Sequence, residues 1–424
     1  MTQRPRAAIV VTGSELVRGE RTDLNGPFLA QQVLSLGFEP TRITIVGDRS
    51  EELEAALREG LEADLCLVTG GLGPTHDDRT VELLAKAADL ALRVDLDLER
   101  EIEAVSRGVA ERLRRPYADF AAGVTKQATL PEGAISLGLA GTAPGMVLDE
   151  RGAVAVVLPG PPAELARLWP VALETEPLRR LLARARPPGR RVLRFFGASE
   201  SAVARALAEA GGDGNGVEVT ICARDFEIHV DLLVEAGADA RADELAAALR
   251  APLGRYLFAE DERPVEELVL GLCRARGLTL VTAESSTGGL VAARITSVPG
   301  ASESFRGAVV AYADDVKQGE LGVSEALLRE HGAVSAETAA AMASGARARL
   351  QADVAIAVTG IAGPSGGTPE KPVGLVFLHA ETPDGSRGVE FNFPGDREST
   401  RQRATVAALH LARRVLAQTG DERV

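Results

Sequence analysis

The chain is poor in the residue types that most often declare a function. Cysteine occurs only at Cys66, Cys222 and Cys273, far apart and each in an apolar run. With no Cys-x-x-Cys pair, a disulfide framework and a zinc knuckle are excluded. Aromatic residues make up 4% of the chain, with one tryptophan, so the cores must be built from Ala, Leu and Val. Lysine is confined to Lys86, Lys126, Lys317 and Lys371. Arginine stays protonated near neutral pH, which singles out each lysine as a candidate base, against the bland reading of a surface ammonium. Long apolar runs are missing: Ala7–Val11 is typical, far below the roughly 18 residues that cross a bilayer. A basic excess is missing too. The formal net charge of −14 argues against a nucleic-acid partner, while leaving room for a local phosphate pocket. The opening Met-Thr-Gln-Arg-Pro-Arg stretch has no signal-peptide apolar region or cleavage site. A cytoplasmic protein with no membrane partner is expected.

What is present is the composition of a globular chain, 45% hydrophobic and 25% charged over 424 residues, enough for two or three domains. Apolar runs at Ala7–Val11, Thr41–Val46, Leu65–Thr69 and Ala153–Leu158 alternate with helical stretches at Pro27–Ser35, Glu51–Glu62 and Thr80–Ala88. That alternation implies βαβ units and a mostly parallel sheet. The rhythm returns after about 263, with strands at Leu278–Ala283, Ala308–Tyr312, Val354–Val358 and Val373–His379. Between them, arginines surround Pro187-Pro188-Gly189 and read as a solvated boundary or, less simply, a phosphate-binding run. A helix at Glu200–Ala210, a hairpin over Val217–Val234 and a helix at Ala240–Leu249 then make a small α+β module. The expected fold is α/β: two three-layer domains with mostly parallel sheets, at 1–172 and 263–424, joined by a small domain at 173–262. The module holds a Gly-x-x-Gly, Gly211 to Gly214, but its Asp213 and lack of cations argue against a nucleic-acid clamp.

Three stretches could carry chemistry. The first pairs Thr12-Gly13-Ser14-Glu15 with the run from Thr69 to Thr80. Gly70, Gly71 and Gly73 allow close backbone approach, and their amides suit a phosphate. Asp77 and Asp78 open the next helix, either as caps or as holders of a divalent metal, with Glu15 a second contributor. The second is Thr282 to Gly289, where a strand becomes a helix. A hydroxyl there sits among free amides that suit an oxyanion, or simply caps the helix. The third is Val358 to Gly374, whose five glycines imply that backbone approaches something closely. A phosphate-bearing ligand, with Lys371 as a point charge, is the expected occupant.

These motifs resemble the CinA (competence/damage-inducible) family. Residues 69–80 resemble its molybdopterin-binding fold, of the MoaB/MogA type. Ala283-Glu-Ser-Ser-Thr-Gly-Gly289, Tyr312 to Lys317, Gly332-Ala-Val-Ser335, Gly360 to Gly367 and Lys371-Pro-Val-Gly374 resemble its nicotinamide-mononucleotide amidohydrolase domain. The middle segment resembles its KH-type linking domain. The resemblance implies deamidation of nicotinamide mononucleotide by Ser285, with Lys317 as base and Tyr312 and Thr359 beside it, and without a cofactor. It implies substrate contacts from Glu284, Thr287, Gly288, Gly289, Gly360, Gly363, Gly366, Gly367 and Lys371. For the N-terminal domain it implies hydrolysis of ADP-ribose assisted by a divalent metal and by potassium; on the residues' own pattern Gly70, Gly71, Gly73 and Thr75 are expected to meet the phosphates, and Asp78, Asp77 and Glu15 to hold the cobalt or magnesium. A homodimer is also implied. Position 286, often Cys in the family, is Ser here, and position 314, often Asn, is Asp.

Overall fold

The computed structural model describes residues 4–150 and 152–417; the first three residues, Arg151 and the last seven lie outside it. The chain divides into two units, Met1–Pro188 and Gly189–Val424.

In the first unit, six strands lie in the order Glu39–Val46, Arg6–Thr12, Leu65–Thr69, Ala153–Leu158, Pro144–Glu150, Ile135–Leu139. The first four run parallel and the last two turn back antiparallel. Leu65–Thr69 and Ala153–Leu158 are buried along their whole length, as expected of strands covered on both faces. One face packs on helices Asn25–Ser35, Pro162–Leu173 and Glu176–Leu182. The other packs on Ser50–Gly60, Thr80–Ala88, Leu96–Leu113 and Ala118–Gln127. The unit runs past the boundary at 172 because Leu178, Leu181 and Ala185 join its core.

The second unit holds two sheets. The antiparallel one has the order Val217–Arg224, Glu227–Val234, Gly189–Phe195, Leu257–Ala259. Its core is shared with helices Glu200–Glu209 and Asp239–Leu253. The basic run around Gly189 is therefore half strand rather than linker. Two of its arginines are engaged with acids: Arg190 pairs with Asp231 and Glu262, and Arg191 with Asp239 and Asp243, while Arg186 and Arg194 bond carbonyls.

The other sheet has the order Phe305–Val310, Leu280–Glu284, Val354–Gly360, Leu375–Thr382, Gly385–Asn392. The first three strands are parallel and the last two antiparallel. Helices Val265–Ala275, Leu290–Thr296 and Arg397–Ala417 cover one face, and Asp314–Leu321 and Ala336–Leu350 the other. Among the described residues no helix is long and apolar enough to cross a membrane.

Candidate active site

Leu280–Glu284 lies between two parallel neighbours, with Glu284 level with Val310 on one side and Val358 on the other. The chain that follows each strand therefore emerges at one edge: Ser285 and Ser286, Tyr312, Thr359 and Gly360. Ligands of open parallel sheets bind there, beyond the carboxyl ends of the strands. A cavity of about 190 Å³ is lined by Ser285, Ser286, Tyr312, Asp314, Lys317, Thr359, Gly360 and Arg397, among others.

The sharp turn is built by Glu284, whose carboxylate is fully buried. It accepts from the hydroxyls of Thr282 (3.1 Å) and Thr287 (2.8 Å) and from the amides of Gly289 (3.0 Å), Val291 (3.0 Å) and Ala292 (2.9 Å). A carboxylate so placed satisfies the free N–H groups of helix Leu290–Thr296 and opposes its dipole. The Glu284 carboxylate, the Thr287 hydroxyl and the Gly289 amide are thus spent on the turn and are not free to meet a ligand. The Ser285 amide goes to Val358 O and that of Gly288 to Ser285 O. Among the described residues this leaves the amides of Ser286 and Thr287 as the turn's uncommitted donors, fewer than the 285–289 turn suggested. The Ser286 hydroxyl is buried without a partner.

Lys317 is only 2% exposed. Its Nζ donates to Tyr312 O at 3.1 Å and to Asp314 Oδ1 at 3.3 Å. Thr359, which also lines the cavity, is buried, and its hydroxyl donates to Ala333 O at 2.7 Å, so it braces the 332–335 loop. Lys371 braces the same loop, donating to His331 O and Val334 O, each at 2.7 Å. It is therefore not the expected free charge for a phosphate.

The glycines of the third stretch have a nearer explanation than a ligand. A Cβ at Gly360 would sit 2.8 Å from Leu375 O, and one at Gly367 would sit 2.8 Å from the Val373 amide. The close approach is of the chain to itself. Gly363, Gly366 and Gly367 lie outside the cavity lining.

A further cationic side chain at the cavity is Arg397, unnoticed in the sequence. It donates to Tyr312 Oη at 2.9 Å and Gly363 O at 2.8 Å. One turn on, Arg401 holds the carbonyls of Ser286 (3.2 Å) and Thr287 (3.0 Å). A signal existed: Arg397 opens a helix, where positive charge opposes the dipole, so an arginine there asks for another reason.

The N-terminal stretch is assembled differently. Gly70 and Gly71 take left-handed φ of 102° and 64° against Thr12 and Thr80. Asp78 accepts from the Thr75 amide at 2.9 Å and, with Asp77, from the Thr75 hydroxyl. The Thr75 hydroxyl leads the interactions that hold the Asp77 carboxyl below its ordinary range. Glu15 folds back over Gly13, while Asp48, unforeseen, takes the Ser14 amide and hydroxyl. The expected trio of Glu15, Asp77 and Asp78 does not converge. Among the described residues no group of three or more His, Cys, Asp or Glu could hold a metal ion. Two carboxylates already engaged by Thr75, with no third ligand of these types among the described residues, do not by themselves complete a resident cobalt or magnesium site. A cation does arrive, from helix Ala118–Gln127: Lys126 donates to Thr75 O.

Comparison with known proteins agrees along the chain. Residues 262–416 match the CinA C-terminal domain, 8–179 a probable molybdopterin binding domain, and 190–259 the damage-inducible protein CinA KH domain. A CinA-like protein of Mycobacterium tuberculosis H37Rv is 42% identical over 426 residues, covering 98% of each chain. That of Mycolicibacterium gilvum is 43% identical, covering 98% of this chain and 99% of its own. Among solved structures, a competence/damage inducible protein of Agrobacterium tumefaciens is 38% identical over 38% of this chain and 100% of its own, with a TM-score of 0.35. One of Thermoplasma acidophilum, titled as CinA with unknown function, is 31% identical over 41% and 98%, with a TM-score of 0.36. With full-length relatives above 40% identity, the chain belongs to the CinA family.

Proposed function

We propose that the second unit deamidates nicotinamide mononucleotide to nicotinate mononucleotide and ammonia. The observation that carries this reading is a buried lysine and a strand-end serine lining one cavity, with a helix N-terminus already capped by Glu284. Ser285 Oγ attacks the carboxamide carbon as its proton passes to Lys317 Nζ. The amides of Ser286 and Thr287 are the donors left for the oxyanion. When the C–N bond breaks, Lys317 returns the proton to the leaving nitrogen and ammonia departs. Water then attacks the acyl–Ser285 ester, and the acid leaves. No cofactor enters. The cavity, about 190 Å³, is below the roughly 300–1,000 Å³ of pockets that engulf a whole drug-sized ligand. It suits the pyridine ring and amide, with ribose and phosphate outside, where the exposed Arg397 supplies charge. The test is ammonia release by the purified full chain from nicotinamide mononucleotide, nicotinamide and glutamine side by side. Release from the mononucleotide alone supports the reading, and release from none of them overturns it.

A second reading concerns the first unit, proposed to hydrolyse ADP-ribose. What favours it is that the amides of Gly71, Leu72 and Gly73 have no partner among the described residues, beside Lys126. Successive free amides and a cation suit a pyrophosphate. Loss of ADP-ribose hydrolysis in Lys126→Ala would support this; unchanged hydrolysis would remove it.

A further inference from the structure

The aromatic residues are few, yet three of the 11 phenylalanines gather where the antiparallel sheet meets helix Arg397–Ala417. His410 is fully buried in that helix. Its ring stacks on Phe196 at 3.9 Å and meets Phe258 edge-on at 4.5 Å. Its Nε2 lies 2.7 Å from Glu227 Oε1, and the other Glu227 oxygen lies 3.1 Å from His229. His410 Nδ1 is buried without a partner, which fits a neutral ring donating from Nε2.

Arginines of the helix flank this contact. Arg403 lies 4.6 Å over Phe226, and Arg413 and Arg414 lie 5.8 Å from Phe258 and Phe196. At 3.6 residues per turn, positions 403, 410 and 414 fall on one face of the helix. Phe226 adds a second kind of evidence. It sits in the hairpin turn at φ 64°, after Asp225 at φ 51°. Such two-residue turns prefer Asn-Gly or Asp-Gly, and a bulky residue at positive φ is an outlier that persists only where its surroundings require it. What Phe226 gains is the Arg403 guanidinium on its ring.

The same helix carries Arg397 and Arg401. Its rise puts Arg401 about 14 Å from His410 along the axis, at the carbonyls of the serine turn. We propose that one end of the antiparallel sheet, through Phe196, Phe226, Glu227 and Phe258, is a positioning clamp. It fixes the last helix, and through Arg397 and Arg401 sets the geometry of the serine cavity. The KH-like module would then serve the active site of its own chain rather than a nucleic acid. The catalytic side of this inference rests on the amidase reading above.

The test uses the full chain and two readouts. Hydrogen exchange at 285–289 and 398–402 needs no substrate. Kinetics with nicotinamide mononucleotide reads the site. Phe226→Gly suits the turn's backbone and removes the ring; His410→Leu breaks the bond to Glu227, and His410→Gln restores a donor. In Phe226→Gly and His410→Leu, exchange at both segments should quicken about tenfold. KM should rise about fivefold with kcat changed less, and His410→Gln should recover most of both. If His410→Leu fails to fold, Phe226→Gly alone decides. Unchanged exchange at 285–289 in Phe226→Gly overturns the clamp. Quickened exchange in a chain whose wild type releases no ammonia keeps the clamp and removes the amidase reading.

Discussion

At Glu284 one carboxylate, fully buried, meets five donors; at Asp77 and Asp78 two carboxylates, one exposed and one half-buried, share a single threonine. Both stretches follow a central parallel strand, both are rich in glycine, and both place acid near the start of a helix. The difference is desolvation. Around Glu284 the polar groups are withdrawn from water, so each hydrogen bond fixes the turn and the serines it presents. Around Asp77 water competes for every contact, and the loop has uncommitted amides instead of a finished cavity. The same ingredients yield a preorganised site in one unit and a surface loop in the other.

The contrast is broken most severely at Lys317. Lys317→Arg keeps the charge but cannot accept a proton, so it should lose about as much turnover as Lys317→Ala, roughly a thousandfold. Near-normal kcat for Lys317→Arg, measured at saturating nicotinamide mononucleotide, would leave the lysine a mere charge contact.

Glu284→Gln comes next. Its amide would turn a donor toward the amides of Gly289, Val291 or Ala292, at a cost of about 3 kcal/mol. Calorimetry on the full chain should show the second unit's transition lowered by about 5–10 °C. Asp78→Ala is the paired control, and should shift the first unit's transition by about 2 °C or less.

Between these lies the pH response of the clamp. Burial pushes His410 down to about 4 from its ordinary 6.5, against the Glu227 hydrogen bond that raises it. Burial alone would raise Glu227, but hydrogen bonds from His229 and His410 hold it at about 2, below its ordinary 4.5. The unfolded chain therefore takes up protons first at both groups. Stability linked to His410 is lost as pH falls from 6.5 to 4, and that linked to Glu227 from 4.5 to 2, with Arg413 and Arg414 disfavouring a positive charge on His410. The His410 part amounts to about 3 kcal/mol by pH 4. His410→Gln, which does not titrate, should flatten the upper window in thermal melts; an unchanged slope would detach His410 from the effect.

Much of this fold was legible because its signals are local. The apolar runs at Leu65–Thr69 and Val354–Val358, bounded by glycine, could hardly be other than buried strands. The antiparallel pair Ile135–Leu139 and Pro144–Glu150 was hidden, since Gly138, Gly141 and Gly145 interrupt its apolar pattern. At the site, the serine turn and Lys317 stand in compact motifs and could be found. The roles of Glu284, Thr359 and Lys371 could not. A carboxylate that caps and one that binds substrate have the same spelling, and only the burial and partners seen in three dimensions separate them. Arg397 and Lys126 reach their sites from helices distant in sequence: the unusual place of Arg397 at a helix start marks it as odd, but no local pattern says which site either residue reaches.

The most direct measurement is ammonia release from nicotinamide mononucleotide by three full-length proteins: wild type, Ser285→Ala and Ser286→Ala. Wild type should turn over. Ser285→Ala should fall to background with its melting temperature unchanged, and Ser286→Ala should keep most of its rate, since its hydroxyl is not the attacking group. A live Ser285→Ala beside a dead Ser286→Ala would contradict the assignment of the nucleophile.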